Sequence, residues 1–300
     1  MKFSAISKAL LMGYGLFASS FTFSATSLNV EQLAQDPYWL KLGHYLPKTF
    51  SGYKGVVDSD EFYLSPQGSV SPQQELQATI NVLYSDDLVI AEQKRCEYPA
   101  RYTWLQSKLG EEAALNCPEL ETWREVLDPQ GMTLVFPTAF MNNPSSMFGH
   151  TLLRIDAKDQ TRHKELVAFA INFAAEPETQ DNAALYAIKG LVGSYPGRFT
   201  VMPYYRKVRE YNDIESRDIW EYKLKLNEQE VERILLHLWE MQRATFDYYF
   251  LDENCSYQLL ALLELARDDL ELIDQFPLHA IPSDTVEALN SANLLERPAY

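Results

Sequence analysis

"YYFLDENCSYQLLALLELAR", residues 248–267, decides how the rest of the chain is read. Apolar residues recur at helical spacing from Cys255 onward, and Asn254 stands where a helix cap belongs. Cys255 is also the last of only three cysteines. A sulfur in the first turn of a helix lies near unpaired N–H groups and the positive end of the dipole, and both favour thiolate. The plainer alternative is a buried free cysteine packed as a small hydrophobe. Asp252 and Glu253 count against a thiolate unless they face solvent.

The other two cysteines sharpen the question. The chain begins "MKFSAISKALLMGYGLFASSFTFSATS", with Lys2 and Lys8 ahead of an apolar stretch and small residues after it. That is a signal-peptide pattern, expected over residues 1–27, and it is short for a membrane span of about 20 apolar residues. Export to an oxidising periplasm or cell envelope favours paired cysteines. Cys96 and Cys117 flank a candidate helix, so they are the expected disulfide, contributing about 3 kcal/mol by chain entropy. Cys255 is then left over.

Composition narrows the function classes. With 46% hydrophobic residues, 23% charged residues and a formal charge of −16, the chain can build a core but offers no basic footprint. No nucleic-acid partner is expected, and no electrostatic adhesion to an anionic membrane. Zinc spacing, a P-loop and a dinucleotide fingerprint are all missing from the sequence, so neither a metal nor a cofactor is expected.

The periodicity divides the chain in two. Residues 28–130 read as mostly helical, with candidates at 28–46, 74–84, 99–109 and 118–127 and a turn-rich stretch at 51–74. Residues 131–300 carry short β-like runs at 132–140, 150–156, 165–176, 198–205 and 216–226. Helices are expected at 182–197, at 227–244 behind an Asn cap, and after Cys255. The expected fold class is α+β with a small antiparallel sheet. The "DPQG" turn at 128–131 is no flexible linker, so the two parts can share one core.

A nucleophilic cysteine needs a base. Among His44, His150, His163, His237 and His279, only His150 stands after a turn-rich loop and a glycine at the start of a strand. His163 lies in a charged segment and His237 inside an amphipathic helix, so both read as bland. Asn172 is the one polar residue in the apolar run 166–175, placed to face His150 from the next strand and orient its ring. The bland readings are a surface strand end for His150 and a backbone-satisfied amide for Asn172. Here the histidine precedes and the cysteine follows, the reverse of papain-like enzymes. That order describes a circularly permuted papain-like core and resembles the permuted NlpC-like group that includes lecithin:retinol acyltransferase.

Four blocks carry a closer resemblance: "RCEYPARYTWL", "NNPSSMFGHTLLRI", "RDIWEYKLKL" and "DYYFLDENCSYQLLALLE". They look like motifs of the Lnb N-terminal periplasmic domain family, over a stretch running from about Pro37 to the end. The resemblance implies an exported bacterial protein and takes its name from a lipoprotein N-acyltransferase. His150 and Cys255 match the catalytic pair it implies; Ser145, Ser146 and Asn254 match further motif positions, assigned to the substrate or oxyanion region. Three functions follow: a thiol acyltransferase acting on a lipid or lipoprotein with transient membrane-surface contact, a cysteine amidase or peptidase of the envelope, or a catalytically silent binding module. The aromatics of 202–213 and 246–250 either line an acyl groove or belong to the core.

Overall fold

The computed structural model describes residues 29–59, 61–112, 114–138, 149–158, 168–176, 183–250, 253–276 and 281–296. In chain order the elements are α1 (Val30–Leu33), α2 (Pro37–Leu42), β1 (Tyr45–Pro47), β2 (Tyr53–Gly55), α3 (Pro72–Leu83), α4 (Leu88–Glu97), α5 (Pro99–Leu109) and α6 (Pro118–Leu127). There follow β3 (Pro129–Pro137), β4 (Leu152–Ala157), β5 (Phe169–Ala175), α7 (Ala183–Leu191), β6 (Tyr195–Pro203), α8 (Tyr204–Val208), a π-helical turn (Arg209–Ile214) and β7 (Ile219–Lys223). The described chain closes with α9 (Glu228–Glu240), β8 (Phe246–Tyr248), α10 (Cys255–Leu263) and α11 (Pro282–Ser291).

Local chemistry sets most boundaries. Proline at the first turn opens α2, α3, α5, α6 and α11, where its missing N–H has no helical partner to lose. Asn227 and Glu230 cap α9 reciprocally, each side chain taking the other's backbone N–H. Asp128, in the left-handed region at φ 45°, turns α6 directly into β3.

The fold is mixed α+β, a helical N-terminal part followed by a six-stranded antiparallel sheet ordered β7-β3-β4-β5-β6-β8. Side chains alternate across each strand. On one face Leu134, Leu153, Ile171 and Phe173 join Trp39, Leu76 and Leu105 of the N-terminal helices and Leu235 and Leu259 of α9 and α10 in a single core. On the other face Val135, Leu152 and Ala170 pack under Tyr204 and Tyr211.

Several elements depart from the pattern reading. The sheet has six strands and is larger than expected. The helix α4 was not legible because Leu88, Val89 and Ile90 stand 46–75% exposed, so it presents no apolar stripe inward. Tyr195-Pro196-Gly197, expected in a helix end, begins β6. Gly197 lets Phe173 and Tyr248 approach, since a Cβ there would lie 2.6 Å from the Phe173 ring. Expected strand residues Tyr204 and Tyr205 instead open α8, once Pro203 ends the ladder. The expected signal peptide lies outside the described residues.

Candidate active site

Cys255 is the first residue of α10, and every residue of that helix is buried. Asn254 caps it, its Oδ1 accepting from the N–H groups of Ser256 at 2.9 Å and Tyr257 at 3.3 Å. Its Nδ2 donates back to the Phe250 carbonyl at 3.1 Å. Asn254 is therefore a buried cap that fixes the start of the nucleophile's helix. This accounts for its place in the motif without direct chemistry.

His150 arrives from the sheet side. Gly149 before it has φ +98°, a conformation glycine adopts freely, and Phe136 and Pro282 crowd its missing Cβ. The half-buried His150 ring places Nε2 2.8 Å from Asn172 Oδ1. A carboxamide oxygen only accepts, so Nε2 carries the proton and Nδ1 is left as the basic nitrogen. Asn172 is itself held in register against Thr200, whose hydroxyl donates to the Asn172 carbonyl at 3.3 Å.

His150 and the buried Cys255 sulfur are in hydrogen-bond contact. Burial alone would push the thiol up. The charge of His150, its hydrogen bond, and the backbone and hydroxyl hydrogen bonds of Thr151 outweigh that and bring Cys255 down to about 6. The same pairing acts in reverse on the imidazole. Burial lowers its affinity for a proton and Lys207 opposes it further, yet the Cys255 charge and hydrogen bond, with Asn172, raise it above an ordinary histidine. Both shifts favour the charged thiolate–imidazolium form of the pair over the neutral one.

The sequence reading did not single out Thr151. It is fully buried, its hydroxyl lies 3.4 Å from Ser256 Oγ, and it hydrogen-bonds the sulfur. Its adjacency to His150 was the only available signal. Tyr211, with its ring centroid 6.4 Å from that of His150, was noted only within a run of aromatics. Ser145, Ser146, Asp252, His163 and His279 lie outside the described residues.

Cys96 and Cys117 are paired, with Cα atoms 5.4 Å apart, and Cys255 is the free thiol. His237 is a core residue, as its place inside an amphipathic helix suggested. Its Nε2 lies 2.9 Å from His44 Nε2 inside a buried cluster with Glu240, Arg101 and Glu75. A cavity of about 560 Å³ beside the disulfide, bordered by Glu61, Tyr98, Glu240 and Arg243, does not include the thiol site. Among the described residues no cluster of His, Cys, Asp and Glu could hold a metal ion, and no helix is long and apolar enough to cross a membrane.

These features define an α+β protein with a buried cysteine–histidine pair and a structural disulfide. The chain belongs to the Lnb N-terminal periplasmic domain family, whose model matches residues 119–292. Residues 31–108 match a domain of unknown function (DUF7843). The family stretch thus begins well after Pro37, and the block "RCEYPARYTWL" at residues 95–105 falls within the second match. The family's periplasmic character and the disulfide fit an oxidising compartment. No curated protein and no solved structure matches this chain.

Proposed function

We propose that this protein is a thiol acyltransferase of the cell envelope, with a core that is a circular permutation of the papain-like arrangement. The observation that carries the reading is the hydrogen-bonded His150–Cys255 pair with its thiol brought down to about 6. A structural core cysteine gains nothing from an oriented imidazole and three hydrogen bonds to its sulfur.

The chemistry runs in two halves. The Cys255 thiolate attacks an acyl ester carbonyl, and the tetrahedral intermediate collapses to a thioester as His150 gives its proton to the departing alkoxide. An amine then attacks the thioester, Nδ1 of His150 takes the amine's proton, and the thiolate leaves. Asn172 holds the imidazole orientation through both steps. The Cys255 N–H is among the first N–H groups of α10, which have no partner within the helix, so it is placed to donate to an oxyanion.

A lipid donor is supported by α7. Leu185, Ile188, Leu191 and Val192 stand 40–60% exposed there, an apolar face of the kind that meets lipid or protein. Gly190 and Gly193 seat that end of the helix on Phe250 and Tyr249, just before Asn254 and Cys255. The Phe250 N–H donates to the Gly190 carbonyl at 2.9 Å. A lipid or lipoprotein substrate and a transient membrane-surface contact follow from this reading.

The test is intact mass after incubation with diacyl phospholipid and with a peptidoglycan fragment, comparing wild type with Cys255→Ser and Cys255→Ala. Expected is an acyl-mass adduct on wild type that hydroxylamine removes, and none on either variant, with thermal midpoints close to wild type. Fragment cleavage without an adduct would move the assignment to an amidase. Variants that fully retain cellular activity would leave a binding module.

A further inference from the structure

Tyr211 sits in the π-helical turn Arg209–Ile214, a local winding that frequently marks functional positions. It is 2% exposed, and its hydroxyl has no hydrogen-bond partner among the described residues. A buried hydroxyl without a partner is unfavourable, and native proteins rarely leave one. The ring is also held in place. The Arg217 guanidinium lies 4.8 Å from its centroid and the Lys207 ammonium 5.5 Å, while the Arg217 N–H donates to the Tyr211 carbonyl at 2.9 Å. Arg217 in turn reaches the carbonyls of Pro137 and Thr138, tying this turn to the end of β3. The result is a rigid, desolvated, unused donor edge-on to His150 at 6.4 Å between centroids.

We propose that the Tyr211 hydroxyl is the second oxyanion donor of the site, completing with the Cys255 N–H the pair of hydrogen bonds that holds the tetrahedral intermediate. The inference rests on reading Cys255 as a nucleophile toward acyl groups. As the Sγ–C bond forms, the carbonyl π pair moves onto oxygen, and that oxygen becomes the missing partner of the Tyr211 O–H. When the pair returns, the bond to the leaving oxygen breaks and His150 supplies its proton. Tyr211 keeps its own proton throughout. Burial first, then the Glu210 carboxylate and the Cys255 thiolate, hold the phenol well above its ordinary value against the opposing Arg217 charge. A fixed donor that need not reorganise is the arrangement that stabilises developing charge best.

Two reagents separate this role from packing. Iodoacetamide alkylates a thiolate by direct displacement and forms no oxyanion; a p-nitrophenyl ester acylates it through a tetrahedral intermediate and needs no protonated leaving group. Both rates would be measured on the full chain for wild type, Tyr211→Phe and, as a control on the neighbouring exposed ring, Tyr205→Phe. Expected for Tyr211→Phe is a fall in ester acylation of about 10²-fold. Its alkylation rate and thermal midpoint should match wild type, and Tyr205→Phe should match wild type throughout. Ester acylation of Tyr211→Phe within about threefold of wild type would overturn the proposal, as would a wild-type ester rate no greater than that of a free thiol of the same acidity. If wild type takes the nitrophenyl acyl group but never a lipid acyl group, the acyltransferase reading fails while Tyr211 is still decided by the ratio of the two rates.

Discussion

Among the described residues, the histidine sites at His150 and His44 shift their proton affinities in opposite directions. At the sheet edge His150 faces the Cys255 sulfur and is raised above an ordinary imidazole. In the N-terminal core His44 faces His237 and Arg101, and burial, His237 and Arg101 together hold it well below the usual value. Burial disfavours the charged imidazole in both places. The partner decides the outcome, because an anion offsets desolvation where a second histidine and a guanidinium add to it. Cys255 and His150 therefore stabilise each other's charged forms, while His44 is held toward its neutral form.

The second site is a fastening. Arg101 of α5 bonds Glu75 of α3 at 2.8 Å and lies 3.4 Å from Glu240 of α9, with its side chains less than 2% exposed. It also stacks over Phe62 and Tyr98. Glu75 accepts the N–H groups of Leu64 and Ser65 as well, so one carboxylate ties the turn-rich segment to two helices. The cluster joins the N-terminal helices to the part of the chain that carries the thiol.

The contrast can be broken most forcefully at Arg101. Replacing it with leucine leaves two buried carboxylates uncompensated, and the expected loss is about 3–5 kcal/mol of stability. Chemical denaturation should show it, while the pH dependence of Cys255 alkylation in the folded fraction stays that of wild type. A shift in that dependence would mean the two sites are coupled after all.

His150→Gln should do the reverse. In wild type the Cys255 alkylation rate should rise through a midpoint near pH 6 and fall away on the acid side, where the thiolate takes up its proton. Without the imidazole the midpoint should move up toward the ordinary thiol value of about 8.5, because burial is then opposed only by the Thr151 hydrogen bonds. A variant that still titrates near wild type would remove His150 from the pair.

Reducing the Cys96–Cys117 bridge tests the N-terminal side more gently. Loss of about 3 kcal/mol is expected, read as a lower thermal midpoint with unchanged alkylation kinetics at Cys255. Smallest of the four is Asn254→Ala. Removing the cap should lower stability by about 1 kcal/mol. It should also slow acylation through looser placement of Cys255, and a slowing without any loss of stability would assign Asn254 a direct role.

Much of the thiol site was legible in the residues. Asn254 announces a helix start, Gly149 marks a close approach, and a lone amide at Asn172 in an apolar strand has few partners available. Each is a local signal. The odd cysteine count isolates Cys255 once Cys96 and Cys117 are paired, and that arithmetic is independent of geometry. By contrast, His237 looked like one more residue on an amphipathic helix. Nothing within α9 could reveal that His44, 193 positions earlier, would stand 2.9 Å away.

The sequence by itself determined the α+β class, the capped helices, the disulfide and the order of histidine before cysteine, because these depend on periodicity, turn chemistry and parity over short spans. The tertiary structure alone decided that Thr151 would solvate the sulfur, that the Tyr211 ring, its hydroxyl without a partner among the described residues, would stand beside His150, and that Arg101 would lie between two carboxylates. Those contacts join segments far apart in the chain. Their energies come from burial, where each charge or hydroxyl is strengthened or penalised by whichever distant groups the packing places beside it.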